Sequence, residues 1–336
     1  MIAVPSKSLS ELEALVGDSR ETVAEFHIER GKVAEFARAI TDSNPLYHDV
    51  GAAREAGHER IPAPLTYARV SRFPRYQVAE GDLYGFDLGF QLEYVLHGEQ
   101  RYEYERPLSV GDELSGTTTL TDVFQRNGGR AGTMTFAVLE TQYRDQDDGL
   151  VLTDRATVIE TEGAVDGDAD ADVDADANES GEDDRAKPTD DSSVPASEPV
   201  DPVRSTADVS VGDPGPRIVV SDLERRHFVQ YAGASGDFNP IHYDEPYARA
   251  AGNPSVFGQG MLTAGIASRV VTDWVGLEAV DSFDVRFQSR VFPGEDVIAD
   301  GEVTAVEADT VTIDLEARTD RRETLLSGTA TATLPD

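Results

Sequence analysis

One short pattern occurs twice in this chain, and it constrains the fold more than any other feature. Asp42-Ser-Asn-Pro-Leu-Tyr-His-Asp49 lies over Asp237-Phe-Asn-Pro-Ile-His-Tyr-Asp244 at an offset of 195 residues. Ala56-Gly57 falls on Ala251-Gly252 at the same offset, and Ser109-Val-Gly-Asp-Glu-Leu114 echoes Phe292-Pro-Gly-Glu-Asp-Val297. Self-similarity on this scale marks one structural unit made twice. Before the first copy, Val33, Phe36, Ala37 and Ile40 recur at helical spacing. Before the second, Ser221 and Glu224 have the spacing of a capping box ahead of Phe228, Val229 and Ala232.

Each Asn-Pro reads as a loop, each loop is followed by a short helical piece, and each piece by a longer helix. The first of those helices opens at Ile61-Pro-Ala-Pro-Leu-Thr-Tyr67, and the second runs from about Gln259 to Trp274. β-Branched and aromatic runs then predict four strands near 90–105, 112–124, 130–144 and 149–161, with a hairpin at Asn127-Gly128. Four more fall near 280–290, 297–307, 310–319 and 323–334, the first of them bearing Val285, Phe287, Val291 and Phe292. A short helix in residues 1–20 and a strand at Val23 to Ile28 precede all of this. The expectation is two α+β units that pair as an internal pseudo-dimer: residues 1–161, and residues 217–336.

The stretch between them, 162–216, is rich in Asp, Ala, Pro and Ser and reads as an acidic disordered linker. Asp168, Asp170, Asp172, Asp174, Asp176 and Glu179 have calcium-loop spacing, but Val173 occupies the place of the sharp-turn glycine. A solvated linker is the simpler reading, and no metal site is expected. The formal net charge of −35 repels nucleic acid and anionic membranes. An acidic substrate would need local positive groups. No stretch approaches the ~20 apolar residues of a membrane span. The absence of cysteine excludes disulfides and thiolate chemistry. A soluble, cytoplasmic protein is expected.

Asp237 and His242 put an acid and a base on a loop whose Pro240 prevents helix, so a turn could aim both into one cleft. Gly258 and Gly260 open the following helix, where free N–H groups and the positive dipole end collect. Such donors suit an enolate formed beside a thioester. Tyr231 through Ala248 resembles the hydratase signature of the MaoC-like, (R)-specific enoyl-CoA hydratase family: an aromatic residue, Ser-Gly-Asp-x-Asn-Pro-x-His, five residues, then Ala. The likeness extends through Ala251-Gly252, Gly258-Gln-Gly260, Val285-Arg-Phe287 and Pro293-Gly294. Residues 20–160 resemble the degenerate dehydratase domain that partners it in two-part enzymes.

This resemblance implies a double hotdog fold and interconversion of an enoyl- and a 3-hydroxyacyl-CoA, without metal or redox cofactor. By position, Asp237 and His242 would activate water, the Gly260 N–H would polarise the thioester carbonyl, and Asn239 would hold the loop. The N-terminal copy departs from the pattern: Tyr47 stands where His242 does, His48 comes one place late, and Pro62 and Pro64 crowd the helix start. One working site is therefore expected, in the C-terminal half. An acyl-CoA thioesterase and a non-catalytic acyl-CoA-binding protein are the competing readings, and further homo-oligomerisation stays open. Arg286 and Arg290 are candidate partners either for CoA phosphates or for the carboxylates of this acidic chain.

Lysine is confined to Lys7, Lys32 and Lys187, and an acidic, lysine-poor, cysteine-free surface resembles proteins of salt-adapted archaea. Self-repulsion on such a surface is screened by salt. The melting temperature is therefore expected to rise with potassium chloride in a thermal denaturation series; a salt-independent value would contradict this.

Overall fold

In the computed structural model, residues 6–72, 84–91, 94–128, 132–161, 197 and 199–335 are described. The first half runs α1 (Leu9–Glu13), β1 (Ser19–His27), α2 (Arg30–Ala39), a 3-10 turn Pro45–Tyr47, α3 (Val50–Glu55) and a 3-10 helix Leu65–Arg72. It closes with β2 (Val95–Tyr104), β3 (Glu113–Gly128), β4 (Gly132–Arg144) and β5 (Leu150–Thr161). The second half repeats that order: β6 (Ile218–Leu223), α4 (Arg225–Ser235), a 3-10 turn Pro240–His242, α5 (Glu245–Ala250) and α6 (Gly260–Val275). Then follow β7 (Val280–Phe287), β8 (Glu295–Glu307), β9 (Thr310–Thr319) and β10 (Thr324–Thr333). The starts of α2, the 3-10 turn, α3 and the 3-10 helix each reappear 195 residues later.

The strands form one sheet in the order β1-β3-β4-β5-β2-β7-β10-β9-β8-β6. Reading outward from the middle, the two halves have matching order, so a pseudo-twofold axis passes between β2 and β7. Those two strands pair antiparallel, with Glu99 opposite Arg286 and Glu103 opposite Ser282. This is the α+β double hotdog. The echoing strand-entry turns are built alike: Gly111 and Gly294 have φ of +95° and +88°, a region that favours glycine.

Helix α6 packs on all five strands β6 to β10. It is apolar nearly all round, with residues 261–268 buried without a break, so the sheet alone cannot cover it. The first half supplies the other side. A side chain at Gly265 would meet Ile40 Cγ2 at 2.5 Å and Thr66 Oγ1 at 3.3 Å, so glycine is what lets the halves approach. α2 and α4 also meet across the seam, through Phe36 against Tyr231 at 5.7 Å and the Lys32 Nζ bond to the Gly233 carbonyl at 2.7 Å.

Four expectations need correcting. The place of α6 in the first half is taken by the 3-10 helix Leu65–Arg72, where Pro62 and Pro64 remove two N–H donors from its approach. Residues 73–83, the continuation of the expected helix, lie outside the described residues. Strand β6 was not anticipated, because Ser221 reads as a cap; the actual cap is Glu224, whose N–H bonds His227 Nδ1 at 2.9 Å. Val291 and Phe292 lie beyond the end of β7. The calcium-like run and the body of the linker, 162–196, lie outside the described residues, but 199–216 pack against the second half. Val203 and Val209 are buried there, and the N–H groups of Val203, Gly212 and Gly215 bond the carbonyls of Trp274, Val303 and Gly301. Val200, Val203, Val209 and Val211, set unevenly among prolines and polar residues, gave no periodicity to read.

Replacing Gly265 by valine would overfill the seam, and a loss of ~1–3 kcal/mol is expected in denaturant unfolding. An unchanged midpoint would show that the halves do not depend on this contact.

Candidate active site

The Asp237 loop is assembled from its own hydrogen bonds. Helix α4 ends at Gly236, whose left-handed φ of 91° turns the chain. Ser235 Oγ donates to the Tyr231 carbonyl at 2.7 Å and accepts from the Asp237 N–H at 3.1 Å. Asp237 Oδ1 then accepts from the Asn239 N–H at 3.4 Å. Asn239 Oδ1 in turn accepts from the Ile241 N–H at 3.2 Å, capping the 3-10 turn that carries His242. Asn239 therefore uses its side-chain carbonyl to shape the loop.

His242 is 8% exposed, and its Nδ1 lies 2.9 Å from the Phe257 carbonyl. A carbonyl can only accept, so Nδ1 carries the proton and Nε2 keeps its lone pair. Burial pushes the imidazole below its ordinary pKa of 6.5; Asp237 and the Phe257 bond oppose that, while Arg69 adds to it. His242 is thus a neutral base at neutral pH, fixed in one tautomer. Its ring also meets the Phe257 ring edge-on at 5.2 Å.

Phe257 leads directly into Gly258-Gln-Gly260. Gly260 is the first residue of α6, and among the described residues its N–H has no hydrogen-bond acceptor. A Cβ there would stand 3.1 Å from the Phe287 ring. Gly258 does not fit the donor role expected of it, because its N–H is committed to the Val291 carbonyl at 2.9 Å. Its glycine is required by packing instead: a Cβ would come within 2.7 Å of Val291 Cγ1. Arg290 bonds Asn253 Oδ1 at 2.9 Å and lies over the Phe257 ring, whereas Arg286 is exposed on β7.

The N-terminal copy keeps the turn and lacks the base. Asp42 Oδ1 accepts from the Asn44 N–H at 2.9 Å, and Asn44 Oδ1 from the Leu46 N–H at 3.0 Å. Tyr47, 1% exposed, fills the place of His242, and burial, Asp42 and Asp273 hold its phenol neutral, well above the usual range. His48 is turned elsewhere by the one-residue slip, and its carbonyl accepts from Arg30 at 3.0 Å. Asp273 of α6 reaches toward this loop, where burial and Asp42 raise its carboxyl to about 6. Leu65 stands in the place of Gly260.

One residue that crosses the seam was not singled out from the sequence. Arg69, on the 3-10 helix of the first half, donates from Nη1 to the Tyr84 hydroxyl at 2.8 Å. It also lies within electrostatic reach of Tyr102, Tyr231, Asp237 and His242. The readable signal was an arginine inside the apolar run Leu65-Thr-Tyr-Ala-Arg69-Val. Among the described residues, no cluster of three or more His, Asp or Glu side chains converges as a metal-ligand set, and no helix is long and apolar enough to cross a membrane.

These features define a class: two hotdog units around a single complete Asp/His loop. The family model for the FAS1-like dehydratase domain region matches residues 14–154, and that for the MaoC-like domain matches residues 201–324. A solved structure described as a MaoC-like dehydratase is 27% identical, with a TM-score of 0.75 over 96% of this chain and 99% of its own. The chain belongs to the MaoC-like dehydratase family, with two hotdog domains. A UPF0336 protein of Thermobifida fusca is 37% identical over 108 residues, which is 32% of this chain and 69% of that protein. A Mycobacterium tuberculosis protein described as having a double hotdog fold shares that fold at 16% identity, with a TM-score of 0.62 over 99% of both chains.

Proposed function

We propose that this protein is a hydro-lyase that adds water to trans-2-enoyl-CoA thioesters, giving (R)-3-hydroxyacyl-CoA, or catalyses the reverse dehydration. The observation that carries this reading is His242, buried and neutral, with Nδ1 tied to Phe257 and Nε2 left as a base beside Asp237. The (R) configuration and the CoA carrier rest on the resemblance of residues 231–248 to the hydratase signature.

In the hydration direction, the enoyl thioester lies with its carbonyl oxygen at the Gly260 N–H, where the helix dipole favours the negative charge that develops. A water molecule hydrogen-bonded to Asp237 and His242 Nε2 attacks C3. His242 takes one proton from that water as the C3–O bond forms and the double-bond electrons move towards the thioester carbonyl. The imidazolium returns the proton to C2, so the enzyme ends unchanged and the substrate has gained one water. Dehydration is the same sequence reversed. Asn239 acts by holding the loop, and the first half acts by closing the other side of the cleft.

The test follows enoyl absorbance and free thiol in one cuvette, in concentrated salt. His242→Ala is expected to lower turnover by ~10²–10⁴-fold, the usual range for a positioned acid–base group, while His48→Ala leaves it intact. Release of thiol without loss of the double bond would make the protein a thioesterase, and binding without turnover a non-catalytic receptor. Because burial lowers the pKa of His242, the base persists as pH falls and is lost only below the ordinary imidazole range. The acid limb of kcat/KM is therefore expected below 6.5. A limb at or above that value would contradict the assignment of His242 as a buried neutral base.

A further inference from the structure

The segment that holds the base is itself held by the turn between β7 and β8. Gln288 and Ser289 hang that turn on β10, their N–H groups bonding the Leu325 carbonyl at 2.9 and 3.3 Å. From there Arg290-Val-Phe292 runs alongside Phe257-Gly258. The Gly258 N–H bonds the Val291 carbonyl at 2.9 Å, and the rings of Phe257 and Phe292 meet edge-on at 6.3 Å. Arg290 completes the clamp. Its guanidinium lies 5.0 Å from the centroid of the Phe257 ring, within the range of a cation–π contact. It also donates from Nη1 to Asn253 Oδ1 at 2.9 Å, and buried Asn253 donates from Nδ2 to the Ala248 carbonyl of α5 at 3.4 Å.

His242 depends on Phe257 twice. The Phe257 carbonyl accepts the Nδ1 proton at 2.9 Å, and the Phe257 ring meets the imidazole edge-on at 5.2 Å. The hydrogen bond made by one ring nitrogen decides which nitrogen is left with its lone pair. Whatever keeps Phe257 in place therefore keeps Nε2 a base.

The first half supplies an internal control. Its backbone clamp is intact: the Ala63 N–H bonds the Leu108 carbonyl at 2.8 Å, as Gly258 bonds Val291. The positions matching Arg290, Phe257 and Asn253 are Pro107, Pro62 and His58. The turn is thus built without the side-chain relay Asn253–Arg290–Phe257, and that relay is present only in the half that has an imidazole to hold.

We propose that Arg290 is a positioning residue for the Asp/His site: anchored by Asn253, it holds Phe257 so that the Phe257 carbonyl keeps His242 in the tautomer with Nε2 free. Its effect on turnover rests on the hydro-lyase reading; its effect on the tautomer rests on the His242–Phe257 bond alone. Arg290 is thereby assigned to the base and not to the CoA phosphates.

Nitrogen NMR of histidine-labelled protein in concentrated salt reads the tautomer, with the His242 signals identified by their loss in His242→Ala. The wild type is expected to carry its proton on Nδ1 alone, and Arg290→Met to show the two tautomers mixed. Arg290→Lys, which keeps a cation for the ring, is expected to lie between them. Hydration of crotonyl-CoA and of crotonyl-N-acetylcysteamine, a thioester without phosphates, is followed beside it. In Arg290→Met, kcat should fall by the same ~10-fold for both, the scale of one lost cation–π contact, with KM little changed. Asn253→Ala should act in the same direction and add little to Arg290→Met, because both break one relay. Should Arg290→Met fail to fold, Arg290→Lys and Asn253→Ala carry the test. A proton on Nε2 in the wild type, an unmixed tautomer in the variants, or a loss confined to the CoA thioester would each overturn the proposal. If neither thioester is hydrated, the hydro-lyase reading fails by itself, and the tautomer decides this one.

Discussion

A helix that is apolar all round cannot be covered by one curved sheet. Helix α6 meets strands β6 to β10 on one side and leaves its opposite side, around Gly265, to be closed by Ile40 and Thr66 of the other half. The pairing of the halves follows from that need, and the pairing of β2 with β7 makes it continuous through the backbone. The position of the site follows as well. The start of α6, the loop after α4 and the 3-10 helix of the first half all converge at the seam. A site built at such a place draws its chemistry from one half and its walls from both.

The two halves share a loop and have diverged in what it holds. Both begin with an aspartate accepting from the asparagine two residues on, and both use that asparagine to cap a 3-10 turn before a short helix. One turn presents an imidazole and the other a buried phenol whose proton is held too tightly for base chemistry. One helix start offers Gly260, the other Leu65 behind Pro64. Arg69 of the first half lies within electrostatic reach of Asp237 and His242 in the second.

Much of the architecture was legible because the repeat, the strand periodicity and the Asn-Pro turns are local signals. The eight strands after the helices were placed within a few residues, and α6 within one at each end. Strand β6 was missed because six residues with a serine in the cap position resemble a helix approach more than an edge strand. Packing of 199–216 was missed because its order comes from backbone bonds to Trp274, Val303 and Gly301, which leave no pattern in composition. For the proposed site, Asp237, Asn239 and His242 stand in one motif and Gly260 opens the helix that follows, so all four could be proposed from the sequence. The tautomer of His242 could not, since it is set by a backbone carbonyl at Phe257. The committed N–H of Gly258 was hidden for the same reason. Arg69 was hidden differently: its relevance arises only when the halves close, 168 residues away from Asp237 along the chain.

Of the two similar loops, the proposed site uses only the one that bears Asp237 and His242, with the first half serving as its wall. The most direct measurement is the binding stoichiometry of saturated thioesters, butyryl-CoA and succinyl-CoA, which have no double bond to hydrate. Isothermal titration of the full chain in concentrated salt is predicted to give one bound thioester per chain. Two equivalent thioesters per chain would contradict the account, because the Asp42–Tyr47 loop would then be a binding site in its own right.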